Sequence, residues 1–163
     1  MKRPLPPSSF VNAADERNHL HDLIAFLIEA GLESSEECDR AIRRFHSSLS
    51  EEVQNDGSIV LQEHRAFYFR CTNQWNLAAR HGELEIELLL RLFAIGGAVD
   101  SINCDYLVAR LTELRDSLDH ANNMAGVLYV DHFIDSLRPN KAKMGIDTGS
   151  FVPTWQAIRP VQQ

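Results

Sequence analysis

Residues 104–120 read CDYLVARLTELRDSLDH, and this stretch gives the clearest indication of the fold. Its apolar residues recur every three or four positions: Cys104, Leu107, Val108, Leu111, Leu114 and Leu118. This spacing is typical of an amphipathic helix that turns one face toward a core. We therefore predict a helix that runs to about His120.

Apolar residues at the same spacing on both sides of this stretch predict four or five further helices. The first pattern stops at Gly31, one pattern runs from about Gln62 to Arg80, and Pro139 ends the last. Gly82 either ends a helix or lies inside a longer one. We expect nine of these apolar residues in the core: Leu23, Leu27, Ile42, Phe45, Leu88, Leu92, Leu107, Leu111 and Leu114.

The two ends of the chain differ from the helical patterns between them. Residues 1–12 are rich in Pro and Ser, and residues 140–163 contain Gly and Pro together with several large apolar residues. We expect an all-α fold, in which residues 13–139 form a single-domain bundle of five to six helices. The ends are predicted to be non-helical: a flexible N-terminal arm and an extended C-terminal arm.

Composition narrows the classes of function. The 163 residues include 16 Lys and Arg against 23 Asp and Glu, for a net charge of −7, which disfavours general nucleic-acid binding. No stretch is apolar enough for a membrane span, and the N terminus lacks the apolar core of a secretory signal. The three cysteines form neither a disulfide framework nor a metal-ligand pattern. We expect a cytoplasmic protein without a metal, a cofactor or membrane contact.

A short polar pattern closes residues 104–120: Arg115 and Asp116 precede His120 by five and four residues. This pattern resembles the signature of HEPN domains, and its layout is similar to that of the mannitol operon repressor family. The resemblance implies a helical, usually dimeric protein in which Arg and His of both chains line a shared cleft, and in many members it implies RNA cleavage without a metal. Arg115, Asp116 and His120 would then be catalytic. The other interpretation is an exposed pair of side chains, Asp116 and His120, on a helix surface.

Two other groups of residues are candidates for partner binding. Arg65, Tyr68, Phe69 and Arg70 interleave basic and aromatic side chains, which suits either a partner surface or burial between two helix layers. In the C-terminal arm, Phe151 and Trp155 are apolar anchors that should lie in a groove, either on the same bundle or on a neighbouring copy.

Three glutamates alternate with apolar residues downstream of Gly82: Glu83, Glu85 and Glu87. We interpret them as the charges of a helix N terminus rather than as a carboxylate site, because negative charge there complements the helix dipole.

These features predict a small acidic helical module that acts by binding, in a regulatory or protein-interaction role. We expect a protein partner and self-association as a homodimer. The alternative is a HEPN-type, metal-independent ribonuclease or toxin that uses Arg115 and His120, with RNA as the partner.

Overall fold

A computed structural model describes residues 2–5, 10, 12–50, 57–96 and 101–137 of the chain. These residues form six α-helices and no strand: α1 (Ala13–Glu29), α2 (Glu36–Ser50), α3 (Ile59–Cys71), α4 (Trp75–Gly96), α5 (Ser101–His120) and α6 (Met124–Leu137). The predicted all-α helical bundle is confirmed. The C-terminal arm predicted at 140–163 lies outside the described residues.

Polar side chains fix the starts of four helices by accepting hydrogen bonds from backbone N–H groups that the first turn leaves unpaired. The capping residues are Asn12 for α1, Ser35 for α2, Ser58 for α3 and Asn123 for α6.

Three helices end at a residue with left-handed backbone conformation. Gly31, Asn73 and Asn122 have φ of 76°, 59° and 59°. At each of them the next residue donates its N–H to a carbonyl five positions back, which is the Schellman arrangement. The single helix predicted from Gln62 to Arg80 is therefore wrong, because Asn73 ends α3 and α4 begins at Trp75.

The helices belong to two compact units. The first covers residues 1–56, in which α2 packs back on α1 as an antiparallel hairpin. Its core contains Ile24, Leu27, Cys38 and Phe45. The buried Arg17 guanidinium donates to the Ser48 carbonyl and hydroxyl oxygens at 3.4 and 3.3 Å.

The second unit covers residues 57–163, and in it α3 packs on α4, α4 on α5, and α5 on α6. Its core joins one face of α4 to the leucine stripe of α5 and to α6: Ala79, Ile86, Leu89, Leu90, Phe93, Cys104, Leu107, Leu111, Leu114, Leu118, Val127, Val130, Phe133, Ile134 and Leu137. Gly82 lies inside α4, where a Cβ would come within 3.1 Å of Leu114 Cδ1. The missing side chain thus allows α4 and α5 to approach closely.

The predicted core is correct on α5 and in part elsewhere. Leu107, Leu111 and Leu114 are buried, as are Leu27 and Phe45, whereas Leu23, Ile42 and Leu88 are half-buried. Leu92 was placed wrongly, since 53% of it is exposed. The physical reason is that α4 buries the face that carries Ile86, Leu90 and Phe93, and at about 100° per residue Leu88 and Leu92 fall on the other side.

Candidate functional site: α5 and its neighbours

Arg115 faces α6. Its Nε donates to the Asp131 Oδ1 at 2.7 Å, and both side chains are about two-fifths exposed, at 36% and 42%. The hydrogen bond and the charge of Asp131 raise the pKa of Arg115. The guanidinium that the HEPN resemblance places in a catalytic cleft is thus paired with a carboxylate of its own chain.

His120, the last residue of α5, faces α4 instead. Its exposed ring stacks on Trp75, the first residue of α4, with ring centroids 4.1 Å apart and planes 22° from parallel. Its Nδ1 lies 2.8 Å from the Asp116 carbonyl oxygen, which can only accept. In this contact Nδ1 is therefore the donor, and Nε2 is not involved.

The structure does not bring Arg115 and His120 together within one chain. Five residues on an α-helix correspond to about 140° of rotation, so the two side chains leave α5 toward different neighbours. Asp116 is exposed, and it meets His120 through its backbone carbonyl rather than through its carboxylate. The predicted side-chain pair of Asp116 and His120 is therefore replaced by a main-chain contact.

A buried ion pair joins α4 and α5 one and a half turns before Arg115. Arg110 donates from Nε and Nη2 to the two carboxylate oxygens of Glu85, at 2.6 and 3.1 Å. Glu85 is only 1% exposed, and Glu83 and Glu87 are buried as well. The interpretation of these glutamates as N-terminal charges is wrong, because α4 begins at Trp75 and they lie well inside the helix.

Burial and pairing act in opposite directions on this ion pair. Burial raises the pKa of Glu85, and the hydrogen bond and charge of Arg110 offset this only in part. Burial works to lower the pKa of Arg110, but the hydrogen bonds that Arg110 donates to Glu85 and the charges of the surrounding carboxylates outweigh it, so that the pKa is raised. Arg110 is therefore cationic throughout the physiological pH range.

Further polar side chains extend this pair toward the surface. Arg110 Nη1 lies 2.6 Å from a carboxylate oxygen of Glu113 and 3.6 Å from one of Glu63. Glu113 also forms an ion pair with Arg70, at 2.9 Å. The Tyr106 hydroxyl donates to Glu63 at 3.5 Å. We call this group the polar seam of α5: Tyr106, Arg110, Glu113 and their partners Glu63, Arg70 and Glu85.

The polar seam was not predicted, although its spacing is present in the sequence. Residues 106, 110 and 113 repeat at four and three positions, and the buried Ser117 continues the series. This is the same period as the leucine stripe, displaced around the helix. Periodic polar residues beside an apolar stripe are thus the signal that could have located it.

The predicted partner-binding residues of α3 make contacts inside the second unit. Phe69 stacks on His81 with centroids 5.4 Å apart, and Tyr68 meets Phe69 edge to face. Arg70 belongs to the polar seam, and Arg65 is half-buried like the other three. These contacts favour the alternative of burial between helix layers. Phe151 and Trp155 lie outside the described residues.

The outer side of α4 carries a second apolar stripe, which we call the leucine face of α4: Leu77, Leu84, Leu88 and Leu92, with Arg80 and Arg91 beside them. Leu77 and Leu92 are exposed, and Leu84 and Leu88 are half-buried. Arg80 and Arg91 are exposed too, and neither forms an ion pair with a described residue. Sequence reasoning missed this face because it placed Leu88 and Leu92 in the core.

No protein-family model, curated protein or solved structure matches this chain. Among the described residues, no group of three or more His, Cys, Asp or Glu side chains is arranged to hold a metal ion. Within the same residues, none of the helices has the length and apolar character needed to cross a membrane.

Proposed function

We propose that this protein is a small acidic helical interaction module that binds protein and self-associates. The leucine face of α4 carries the proposal. Complete burial of a leucine side chain contributes about 1.5–3 kcal/mol, so leucines left at the surface on one helix face represent binding energy that the described residues do not use. Contiguous apolar surface bordered by charge is typical of protein interaction sites.

The geometry of the HEPN-like residues also supports binding over catalysis. Attack by a ribose hydroxyl needs a proton acceptor or donor and a cation at one phosphate. In this chain the cation, Arg115, is held by Asp131 on the α6 side, and His120 is stacked on Trp75 on the α4 side. A shared cleft would have to combine Arg115 of one copy with His120 of another.

The proposal is tested by placing a charge in the leucine face. We expect Leu92→Glu to lower the molar mass of the full chain in light scattering, because a carboxylate buried in an apolar contact must be desolvated. Ile28→Glu on α1 is the matched control, since Ile28 is exposed to a similar degree, and its mass should equal that of the wild type. If the wild type associates and Leu92→Glu has the same molar mass as the wild type and Ile28→Glu, the leucine face is excluded as the contact.

A further inference from the structure

We propose that the leucine face of α4 docks on a surface formed by α5 and α6 of a second copy of this chain. We call that second region the acidic α5–α6 surface: Asp116 and Asp119 of α5 with Met124 and Leu128 of α6. This inference rests on the proposed function, because it names the partner and the two surfaces through which self-association occurs.

The acidic α5–α6 surface combines apolar and negative groups. Met124 and Leu128 are 54% and 66% exposed. The contact of Arg115 with Asp131 shows which residues of these two antiparallel helices lie level with each other. Asp119, one turn after Arg115, therefore lies level with Leu128, about one turn before Asp131. Asp116 and Asp119 are exposed and form no ion pair with a described residue.

Charge decides which surfaces can meet. Seven of the described arginines form ion pairs with carboxylates of their own chain: Arg3, Arg40, Arg43, Arg44, Arg70, Arg110 and Arg115. Arg80 and Arg91 are exceptions, and both border the leucine face. Two leucine faces in contact would oppose arginines, and two acidic surfaces would oppose aspartates. The pairing of unlike surfaces brings cations to carboxylates and leucines to leucine and methionine.

A contact between unlike surfaces does not close with two copies, so the assembly inferred here differs from the homodimer expected from the sequence. A dimer formed in this way leaves one leucine face and one acidic surface available, so that further copies add until a ring closes or a chain extends. We therefore expect species heavier than twice the 18.5 kDa chain as protein concentration rises. Added salt should weaken the association, because it screens exposed charges.

Two charge-reversed forms of the full chain test the pairing in sedimentation velocity experiments. Arg80→Glu/Arg91→Glu makes both surfaces negative, and Asp116→Arg/Asp119→Arg makes both positive. The self-association of each form alone should be weaker than that of the wild type by a factor of about ten or more. An equimolar mixture should recover association, because the negative α4 face of one form then meets the positive α5–α6 surface of the other.

A control separates the position of the charge from its amount. Arg40→Glu/Arg43→Glu on α2 changes the net charge as much as the α4 variant does, and its association should match the wild type. Circular dichroism checks that each form is folded. If a reversed form does not fold, the neutral variant Arg80→Gln/Arg91→Gln should still show weakened association and a reduced dependence on salt.

The outcomes distinguish this inference from the proposed function. A wild type that is monomeric at all concentrations overturns both. A wild type that associates, with reversed forms that associate equally well, overturns the inference and leaves the proposed function standing. A further comparison mixes Asp116→Arg/Asp119→Arg with a Lys141→Glu/Lys143→Glu form. If this mixture recovers association and the mixture with the α4 variant does not, the acidic surface binds the C-terminal segment, and the inference is overturned.

Discussion

Arg110 and Arg115 lie five residues apart on α5, and each donates to a carboxylate of a neighbouring helix, at 2.6 and 2.7 Å. Their surroundings are opposite. Arg110 and Glu85 are buried, whereas Arg115 and Asp131 are both in contact with solvent. The two ion pairs thus have nearly equal distances but different contributions to the free energy of unfolding, because the cost of losing a partner depends on whether water can replace it.

The largest expected effect is at the buried pair. Arg110→Ala leaves the Glu85 carboxylate without its bidentate partner inside the second unit, and we expect a loss of about 3–5 kcal/mol in the free energy of unfolding. Denaturant titration measures it. The double variant Glu85→Leu/Arg110→Met is the control, since it removes both charges and should recover most of the loss. A loss below about 1 kcal/mol for Arg110→Ala would place this pair with surface ion pairs.

A smaller effect should appear in the dependence of stability on pH. Burial raises the pKa of Glu85, so the folded state holds this proton more tightly than the unfolded state does. The stability of the wild type relative to Glu85→Gln should therefore be greatest below the ordinary pKa of glutamate and be lost as pH rises through the raised value.

Glu16 of α1 provides a control of opposite sign. Its hydrogen bonds from Arg44, at 2.5 and 3.0 Å, lower the pKa of this carboxyl. The advantage of the wild type over Glu16→Gln should be present above the ordinary pKa and disappear as pH falls through the lowered value. The measurement is the free energy of unfolding of the wild type, Glu85→Gln and Glu16→Gln, each at about pH 7 and at about pH 4. The same sign for Glu85 and Glu16 would contradict the role assigned to burial.

The smallest effect is expected at the HEPN-like residues. Arg115→Ala and His120→Ala should leave unfolding free energy and molar mass within experimental error of the wild type, because both side chains are accessible to water. The ribonuclease alternative predicts instead that the wild type cleaves a mixed RNA without added metal, and that both variants lose this activity. Such cleavage would establish catalysis and contradict a role in binding alone.

The success of sequence reasoning differed between α5 and α4 for a physical reason. The leucines of α5 form one stripe, and a single apolar stripe has one stable arrangement, against the core. Helix α4 has apolar residues on two sides, and periodicity does not say which side neighbouring helices cover. The prediction for Leu92 was wrong for this reason. The burial of Glu83, Glu85 and Glu87 was not predicted because negatively charged residues are typical of an exposed helix start.

Helix ends show a similar division. Gly31 was a clear end because glycine adopts positive φ without a steric penalty. Asn73 adopts nearly the same conformation, yet asparagine is also common elsewhere, and so the end of α3 was missed. The divergence of Arg115 and His120 follows from helix geometry alone. Their partners, Asp131 and Trp75, depend on how α4 and α6 pack against α5, which no local pattern specifies.

Sedimentation equilibrium of the full wild-type chain over a range of concentrations tests the proposed self-association most directly. We predict an average molar mass above 18.5 kDa that rises with protein concentration and falls when salt is added. A mass of 18.5 kDa at every concentration would contradict self-association and, with it, the role assigned to the leucine face of α4.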